Sequence, residues 1–244
     1  MGSGLRVLRK RLLSGAQEAE GTAVVIDVLR AFSSAAYMMH LGAARIVLMA
    51  EPKEVLRFKA ETGALAVGEV GGKIVDGFDL GNSPSRILAA GRTLFSGRTV
   101  AQRTSAGVTG ALAAAHRADQ VILGSYVTAG ATARYLLALS PPPKVVSLIA
   151  MGNAGRQITP DDEGCAGYLE HLLAGTPYSH VTALQEIVEH ECAQKFLRGD
   201  QAHFPAADPV YCLQLDPFDF VLAAQLDKGF LVARRIDVPK ENAA

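Results

Sequence analysis

The stretch "VVIDVLRAFSS", Val24 to Ser34, runs Val and Ile without polar alternation into an aspartate, Asp27, and sets an arginine, Arg30, three positions further on. An unbroken β-branched run is the pattern of a strand buried on both faces, as in a parallel sheet covered by helices. The following "SSAAYMMHLGA" has helical composition, so the stretch reads as a strand feeding a helix. Burying a charge costs several kcal/mol unless it is paired or binds a metal. An Asp at the tip of such a strand therefore reads as a functional carboxylate. The structural alternatives are a cap for the helix starting near Ser33 and an ion pair with Arg30.

The same rhythm extends outward. "RIVLMA", "ALAVGE", "RTVAQRT", "DQVILGS" and "KVVSLIAMG" read as strands, and "PKEVLRFKAET", "AGVTGALAAAHRA" and "TAGATARYLLAL" as helices. Strand–helix alternation predicts an α/β fold of three layers, a mainly parallel sheet with helices on both faces. Ligands in such sheets sit beyond the carboxyl ends of the strands. Those ends carry Asp27, Glu69, Arg103 to Ser105, Ser125 and Asn153. No domain boundary is evident, which gives a single α/β domain over 1–244, with residues 1–22 as a lead-in and "SPPPK" (140–144) as a rigid connector. In the tail from Ser179, "ALQEIVEHECAQKFL" reads as one helix. "FDFVLAAQLDKGFLVARRIDV" reads as a strand or helix, a turn at Gly229 and a terminal strand. The opening "MGSG" is set aside.

Composition removes several classes of function. Lys plus Arg equals Asp plus Glu, 24 against 24, so no global field recruits nucleic acid or an anionic membrane. No apolar run is long enough for a signal peptide or a bilayer span. Three scattered cysteines without a C-x-x-C pair suit a reducing, cytoplasmic setting. A positive mean hydropathy of +0.19 points weakly to a homodimer. The six histidines show no H-x-x-x-H spacing and read as packing or surface residues.

Familiar uses of these residues fail on inspection. A haloacid-dehalogenase pattern needs a second Asp two residues after the first, where Leu29 stands. "GEVGGKI" is not a Walker A loop, because only three residues separate Gly68 from Gly72 and Ile74 occupies the Ser/Thr position. No G-x-G-x-x-G follows a strand, so a nicotinamide site has no support.

Three further segments carry chemistry. In "VGEVGGKIVDGFDLGNSPSRIL", Glu69 follows a strand, and Ser83–Pro84 has the form of a helix start whose N–H groups bind anions, with Asn82 and Ser83 as side-chain donors; a surface loop with glycine turns is the alternative. In "AQRTSAGVTGALAAA", Arg103, Thr104 and Ser105 enter a helix N-terminus and read equally as an oxyanion cradle or an ordinary cap. In "GNAGRQITPDDEGCAGYLEHLLAG", Thr159 caps a helix that begins at Pro160, with Asp161, Asp162 and Glu163 in its first turn, as the dipole favours. Cys165 lies one turn from both aspartates; it reads as a small buried residue against the sheet or as a nucleophile near a helix start.

Taken in order, "VVIDVLRAFSSA", "LGAARI", "GEVGGKIVDGFDLGNSPS", "RTSAGVTGALAAA" and "GNAGRQITPDDEGCAGYLEHLL" resemble the 2-phosphosulfolactate phosphatase family, from about Val24 to Leu173. The resemblance implies a Mg²⁺-dependent hydrolysis of 2-phospho-3-sulfolactate to 3-sulfolactate on a route to coenzyme M. It implies Mg²⁺ carboxylates at Asp27, Glu69 and Asp162, and Arg30 and Arg103 against the substrate's acidic oxygens. Asn82, Ser83, Thr104, Ser105 and Asn153 would be donors. The nucleophile stays open between water, Asp27 and Cys165. Two departures stand out: "QRTSAGVTG" replaces a Thr-Asn-Gly-Thr type loop, and Asp161-Asp162 replaces Glu-Asp. The altered loop keeps two alternatives in play, a different phosphoester or anion binding without hydrolysis, and a Cys165-dependent transferase or hydrolase needing no metal is a third. The tail from 179 to 244 adds little to the resemblance.

Overall fold

The computed structural model describes residues 4–239. Met1–Ser3 of the set-aside opening, and residues 240–244 of the expected 1–244 domain, lie outside them. In chain order the elements are β1 (Arg6–Arg11), α1 (Leu12–Gln17), β2 (Thr22–Ile26), α2 (Ala31–His40), β3 (Arg45–Leu48), α3 (Pro52–Thr62), β4 (Leu65–Val70), β5 (Lys73–Ile74), α4 (Pro84–Phe95), β6 (Thr99–Arg103), α5 (Gly107–Ala115) and β7 (Gln120–Gly124). A single 3₁₀ turn, Tyr126–Thr128, leads into α6 (Ala129–Ala138). Then come β8 (Val145–Ala150), α7 (Pro160–Ala174), α8 (His180–Glu189), α9 (Glu191–Leu197), α10 (Asp208–Cys212), β9 (Phe220–Asp227) and β10 (Phe230–Asp237).

All ten strands form one sheet, in the order β1-β8-β2-β7-β9-β10-β3-β6-β4-β5. It holds two parallel blocks, β1-β8-β2-β7 and β3-β6-β4, joined by the antiparallel β9–β10 hairpin. Both faces are covered, as the unbroken apolar strands require. Ala23 and Val25 of β2 pack into a core with Phe32 and Ala35 of α2, Ile87 of α4 and Val108 of α5. Val24 and Ile26 face a second core with Leu136 of α6, Cys165 and Leu169 of α7, Ile187 of α8 and Ala193 of α9. Val55 of α3 covers Val47, Ala66 and Ala101 on the other block. Each fully buried Val, Ile or Leu contributes roughly 1.5–3 kcal/mol. This is the three-layer α/β architecture the alternation predicts. Among the described residues, no helix is long and apolar enough to cross a membrane.

Three local expectations change. The 1–22 lead-in contains an edge strand: β1 pairs in parallel with β8, Arg6 opposite Val145 through Arg11 opposite Ala150. The helix expected over 183–197 is broken at His190, whose extended backbone (φ −87°, ψ 152°) ends α8 and whose Nδ1 accepts the Cys192 N–H at 3.0 Å to start α9. Of the two readings of "FDFVLAAQLD", strand is the one found, over Phe220–Asp227, and β9 turns into β10 over two residues, Lys228 (φ 52°) and Gly229 (φ 85°). Two positive φ angles make the hairpin turn that suits twisted strands.

The hairpin also decides where the strand ends go. Three antiparallel steps lie between β7 and β3, so the second block runs against the first. Five steps of about 20–25° twist separate β2 from β6, a rotation of roughly 100–125°. That rotation swings the carboxyl ends of the two blocks together, and Gly107 after β6 hydrogen-bonds Asp27 after β2 at 2.9 Å.

Candidate active site

Asp27 is 6% exposed and ties two helix N-termini. Its Oδ1 accepts the Ala31 N–H of α2 at 3.1 Å, and its Oδ2 accepts the Gly107 N–H of α5. Two helix dipoles thus face one carboxylate. Position 107 has room only for glycine, since a Cβ there would sit 2.7 Å from Asp27 Oδ2 and 2.9 Å from the Phe32 ring. Burial pushes the Asp27 carboxyl up to about 6 against the lowering effect of those N–H groups, and the charges of Asp161 and Glu69 add to the rise. Asp27 therefore does cap α2, but it also lines a cavity, and Arg30 is not its partner.

The first-turn acids of α7 reach back to the loop after β2. Asp162 Oδ1 accepts the Val28 N–H at 2.7 Å and Oδ2 the Gly152 N–H at 2.7 Å. Asp161 Oδ2 accepts the Leu29 N–H at 3.2 Å, while Oδ1 is buried and accepts no hydrogen bond. Burial, then the charges of Asp161 and Asp27, raise Asp162 well above the usual carboxylate range. Thr159 occupies the N-cap position of α7, but its side chain makes no capping bond.

The second block supplies Glu69. Its Oε1 accepts from the Ser105 N–H and hydroxyl, both at 3.1 Å, and its Oε2 accepts from the Gly72 N–H at 2.5 Å. Arg103 stands behind the cavity lining and stitches strand ends together, donating to Ala50 O at 3.0 Å, to Glu69 O and to Ser105 Oγ at 3.1 Å, with Glu69 Oε1 4.0 Å from its Nη1. Asn82 bridges Arg103 O and the Gln102 side chain at 3.0 Å each. Asn153 Nδ2 donates to Gln157 Oε1 at 2.9 Å.

The tail closes the site. Arg30 Nη1 donates to Asp208 Oδ2 at 2.8 Å and to His203 O at 2.9 Å, and Nη2 to Gly72 O at 3.3 Å. The guanidinium lies 5.1 Å from the Phe196 ring centre and 5.3 Å from that of Phe204. Asp208 is fully buried, and its Oδ1 also accepts from Ser83 Oγ (2.9 Å), Ser85 N (3.1 Å) and Ser85 Oγ (2.6 Å). Ser83 is thus spent on Asp208 rather than facing a ligand.

The resulting cavity has a volume of about 650 Å³. Of the residues expected in the site, Asp27, Arg30, Glu69, Asn82, Thr104, Ser105, Asn153 and Asp162 line it; Ser83, Arg103 and Cys165 do not. His190, Lys195, Phe196 and Phe204, to which the sequence gives no role there, also line the cavity, as does Asp161 beside the expected ligand Asp162. The i, i+1, i+4, i+5 pattern of Glu191–Cys192–Lys195–Phe196 is an ordinary helical face, and nothing in it marks a site.

Cys165 lies at 0% exposure in the core formed with Ile26, Leu148 and Leu169. Burial, then the charges of Asp162 and Asp216, push its thiol well above the ordinary range, the opposite of what a thiolate nucleophile needs. Cys165→Ala is expected to hold kcat for phosphate release within about threefold of wild type while lowering stability by about 1–2 kcal/mol through the small cavity it leaves. Steady-state kinetics beside urea denaturation checks both, and a loss of turnover without unfolding would restore the thiol to the chemistry.

Among the described residues, no three or more His, Cys, Asp or Glu side chains form a ready-made metal cage. What the site holds is a set of carboxylates that feel one another's charge: Asp27 with Asp161 and Glu69, and Asp162 with Asp161 and Asp27. Such a group is relieved by protons or by a bound cation.

Comparison with known proteins places these features in a family. The model of 2-phosphosulpholactate phosphatase matches residues 8–226. A protein of Bacillus subtilis named "Probable 2-phosphosulfolactate phosphatase" is 32% identical over 206 residues, 84% of this chain and 87% of its own. One of Carboxydothermus hydrogenoformans with the same name is 34% identical over 222 residues, 86% of this chain and 88% of its own. One of Thermus thermophilus, again so named, is 33% identical over 192 residues, 79% and 73%. The matched span runs from inside β1 into β9 and takes in the tail residues that wall the cavity, so the chain belongs to the 2-phosphosulpholactate phosphatase family.

Proposed function

We propose that the chain is a Mg²⁺-dependent phosphoric monoester hydrolase that converts 2-phosphosulfolactate to 3-sulfolactate and phosphate. The observation that carries this reading is the cavity itself: it is lined by the carboxylates of Asp27, Glu69, Asp161 and Asp162, one with an oxygen left without a hydrogen bond, and by two basic side chains, Arg30 and Lys195. The family membership supports the same reaction.

The carboxylates suit a hard cation. Mg²⁺ takes oxygen ligands, keeps several waters and needs only one or two protein carboxylates, so a three-ligand cage is not required. Asp161, through its unpartnered Oδ1, and Asp27 beside it are the residues that would hold it, with Glu69 near enough to bind through water. Asp162 keeps a lone pair on each oxygen beside its bonds from the Val28 and Gly152 N–H groups, as Asp27 does beside those from Ala31 and Gly107, and would bind the ion directly or through water. When bound, Mg²⁺ would neutralise phosphoryl charge and favour attack by water. The chain's own contribution is rigidity. Asp27 is held by two N–H groups, Glu69 by three donors, and the Ser105 hydroxyl and Thr104 stand at the N-terminal end of α5 where an anion is favoured.

Incubation with 2-phosphosulfolactate is expected to release inorganic phosphate with Mg²⁺ present and at least about 100-fold more slowly in chelator, since the metal supplies several kcal/mol of transition-state stabilisation. Folded protein that releases no phosphate from this ester or from 2-phospholactate would overturn the proposal.

A further inference from the structure

Of the cavity's Lys and Arg side chains, Lys195 is the one whose donors make no hydrogen bond or ion pair among the described residues. Arg30 spends its guanidinium on Asp208, His203 O and Gly72 O, and Arg103, outside the lining, spends its own on Ala50 O, Glu69 and Ser105 Oγ. On α9 the expected partner for Lys195 is Glu191, four residues back. That acid is taken by Arg198 in a two-bond pair, at 2.7 Å and 2.9 Å. What holds Lys195 instead is a pair of aromatic faces: Nζ lies 5.1 Å from the Phe204 ring centre and 5.4 Å from that of Phe196. Arg30 lies over the same two rings. A cation–π contact fixes an ammonium without neutralising it, so the charge and its three N–H donors stay available.

The position of Lys195 relative to the carboxylates matters as much as its freedom. Cys192, one turn earlier on the same helix face, lies against Asp161, whose charge, after burial, helps push the thiol up. Lys195 stands one helical turn, about 4.5 Å of rise, beyond Cys192, and both residues line the cavity. A three-carbon phosphoester with its phosphoryl at the carboxylates would extend its far end towards α9.

Resting on the phosphatase reading above, we infer that Lys195, held over Phe196 and Phe204, is the specificity-determining residue that binds the sulfonate at the substrate's far end. A sulfonate is ionised at every working pH and offers three acceptor oxygens, a match for an unneutralised ammonium with three donors. The phosphoryl chemistry itself does not involve Lys195.

The test compares 2-phosphosulfolactate with 2-phospholactate, which lacks the sulfonate, on the Mg²⁺-loaded wild type, Lys195→Met and Lys195→Arg. Met keeps the apolar stem against the rings, and Lys195→Gln serves as the second variant if Met perturbs α9. In wild type the ratio of kcat/KM for the two esters is expected to favour the sulfonated one. In Lys195→Met that ratio is expected to fall about 10- to 100-fold, mainly through KM, with Lys195→Arg recovering most of it. An unchanged ratio, or equal losses on both esters, overturns the inference while leaving the phosphatase reading intact. If wild type hydrolyses neither ester, the phosphatase reading falls, and calorimetry with 3-sulfolactate and lactate decides the rest. At least tenfold tighter binding of 3-sulfolactate, lost in Lys195→Met, upholds sulfonate recognition; equal binding of the two acids overturns it.

Discussion

Asp27→Asn is expected to lower kcat for phosphate release by about 10²–10³-fold while moving the midpoint of thermal unfolding by only a few degrees. The two halves of that expectation come from the same geometry. Asn keeps the shape and retains one acceptor for the Ala31 N–H, but its amide NH₂ then faces the Gly107 N–H, so one hydrogen bond worth about 1 kcal/mol is lost. Against that loss, the variant no longer buries a charge among Asp161 and Glu69, the burial and repulsion that raise the Asp27 carboxyl to about 6. The two terms offset within about a kcal/mol or two. Turnover has no such compensation, because the charge that faces the cavity is gone. Single-turnover kinetics and calorimetric melting on the same preparation separate the effects. Full activity would reduce Asp27 to a cap for α2, and a collapsed melting transition would mean that its charge holds the two helix ends together.

The largest stability effect is expected at Asp208. Removing it in Asp208→Ala leaves the buried Arg30 charge without its counter-ion and strips the acceptor from Ser83 and both donors of Ser85. Breaking one side of a buried pair costs about 3–5 kcal/mol. Asp208→Asn, which keeps an acceptor for the serines, is expected to lose about half as much. Urea denaturation of Asp208→Ala, Arg30→Met and the double variant gives the coupling directly. Additive losses would show that the pair acts independently and that something else fixes the tail.

Much of the site was legible because it lies at element ends that the local pattern already defines. Asp27 follows an unbroken apolar strand, Glu69 and Ser105 follow two others, and the α7 aspartates sit behind a Thr-Pro helix start. The unread part is non-local. Arg30 reads as a ligand-facing cation, yet its partner is 178 residues away on α10. "RVLRKR" is basic and short, and only β8, about 139 residues on, makes it a strand. Asp161 and Asp162 read alike as first-turn acids, and only the fold shows that Asp162 holds the Val28 and Gly152 N–H groups while Asp161 holds that of Leu29, a difference of one helical position that no periodicity records. Lys195 stayed hidden for a related reason: its role follows from Glu191 choosing Arg198, and a helix face offers both partners.

The β9–β10 hairpin sets the timing of assembly during synthesis. It spans 220–237, after every other strand, and it alone pairs β7 with β3 through the sheet. Until it emerges from the ribosome, two finished half-sheets each carry an open edge, the kind of template on which chains aggregate. The cavity that spans both halves can become competent only once that closing hairpin is in place. A chain halted before Phe220 would therefore accumulate as a sticky intermediate with all its cavity-lining residues already made.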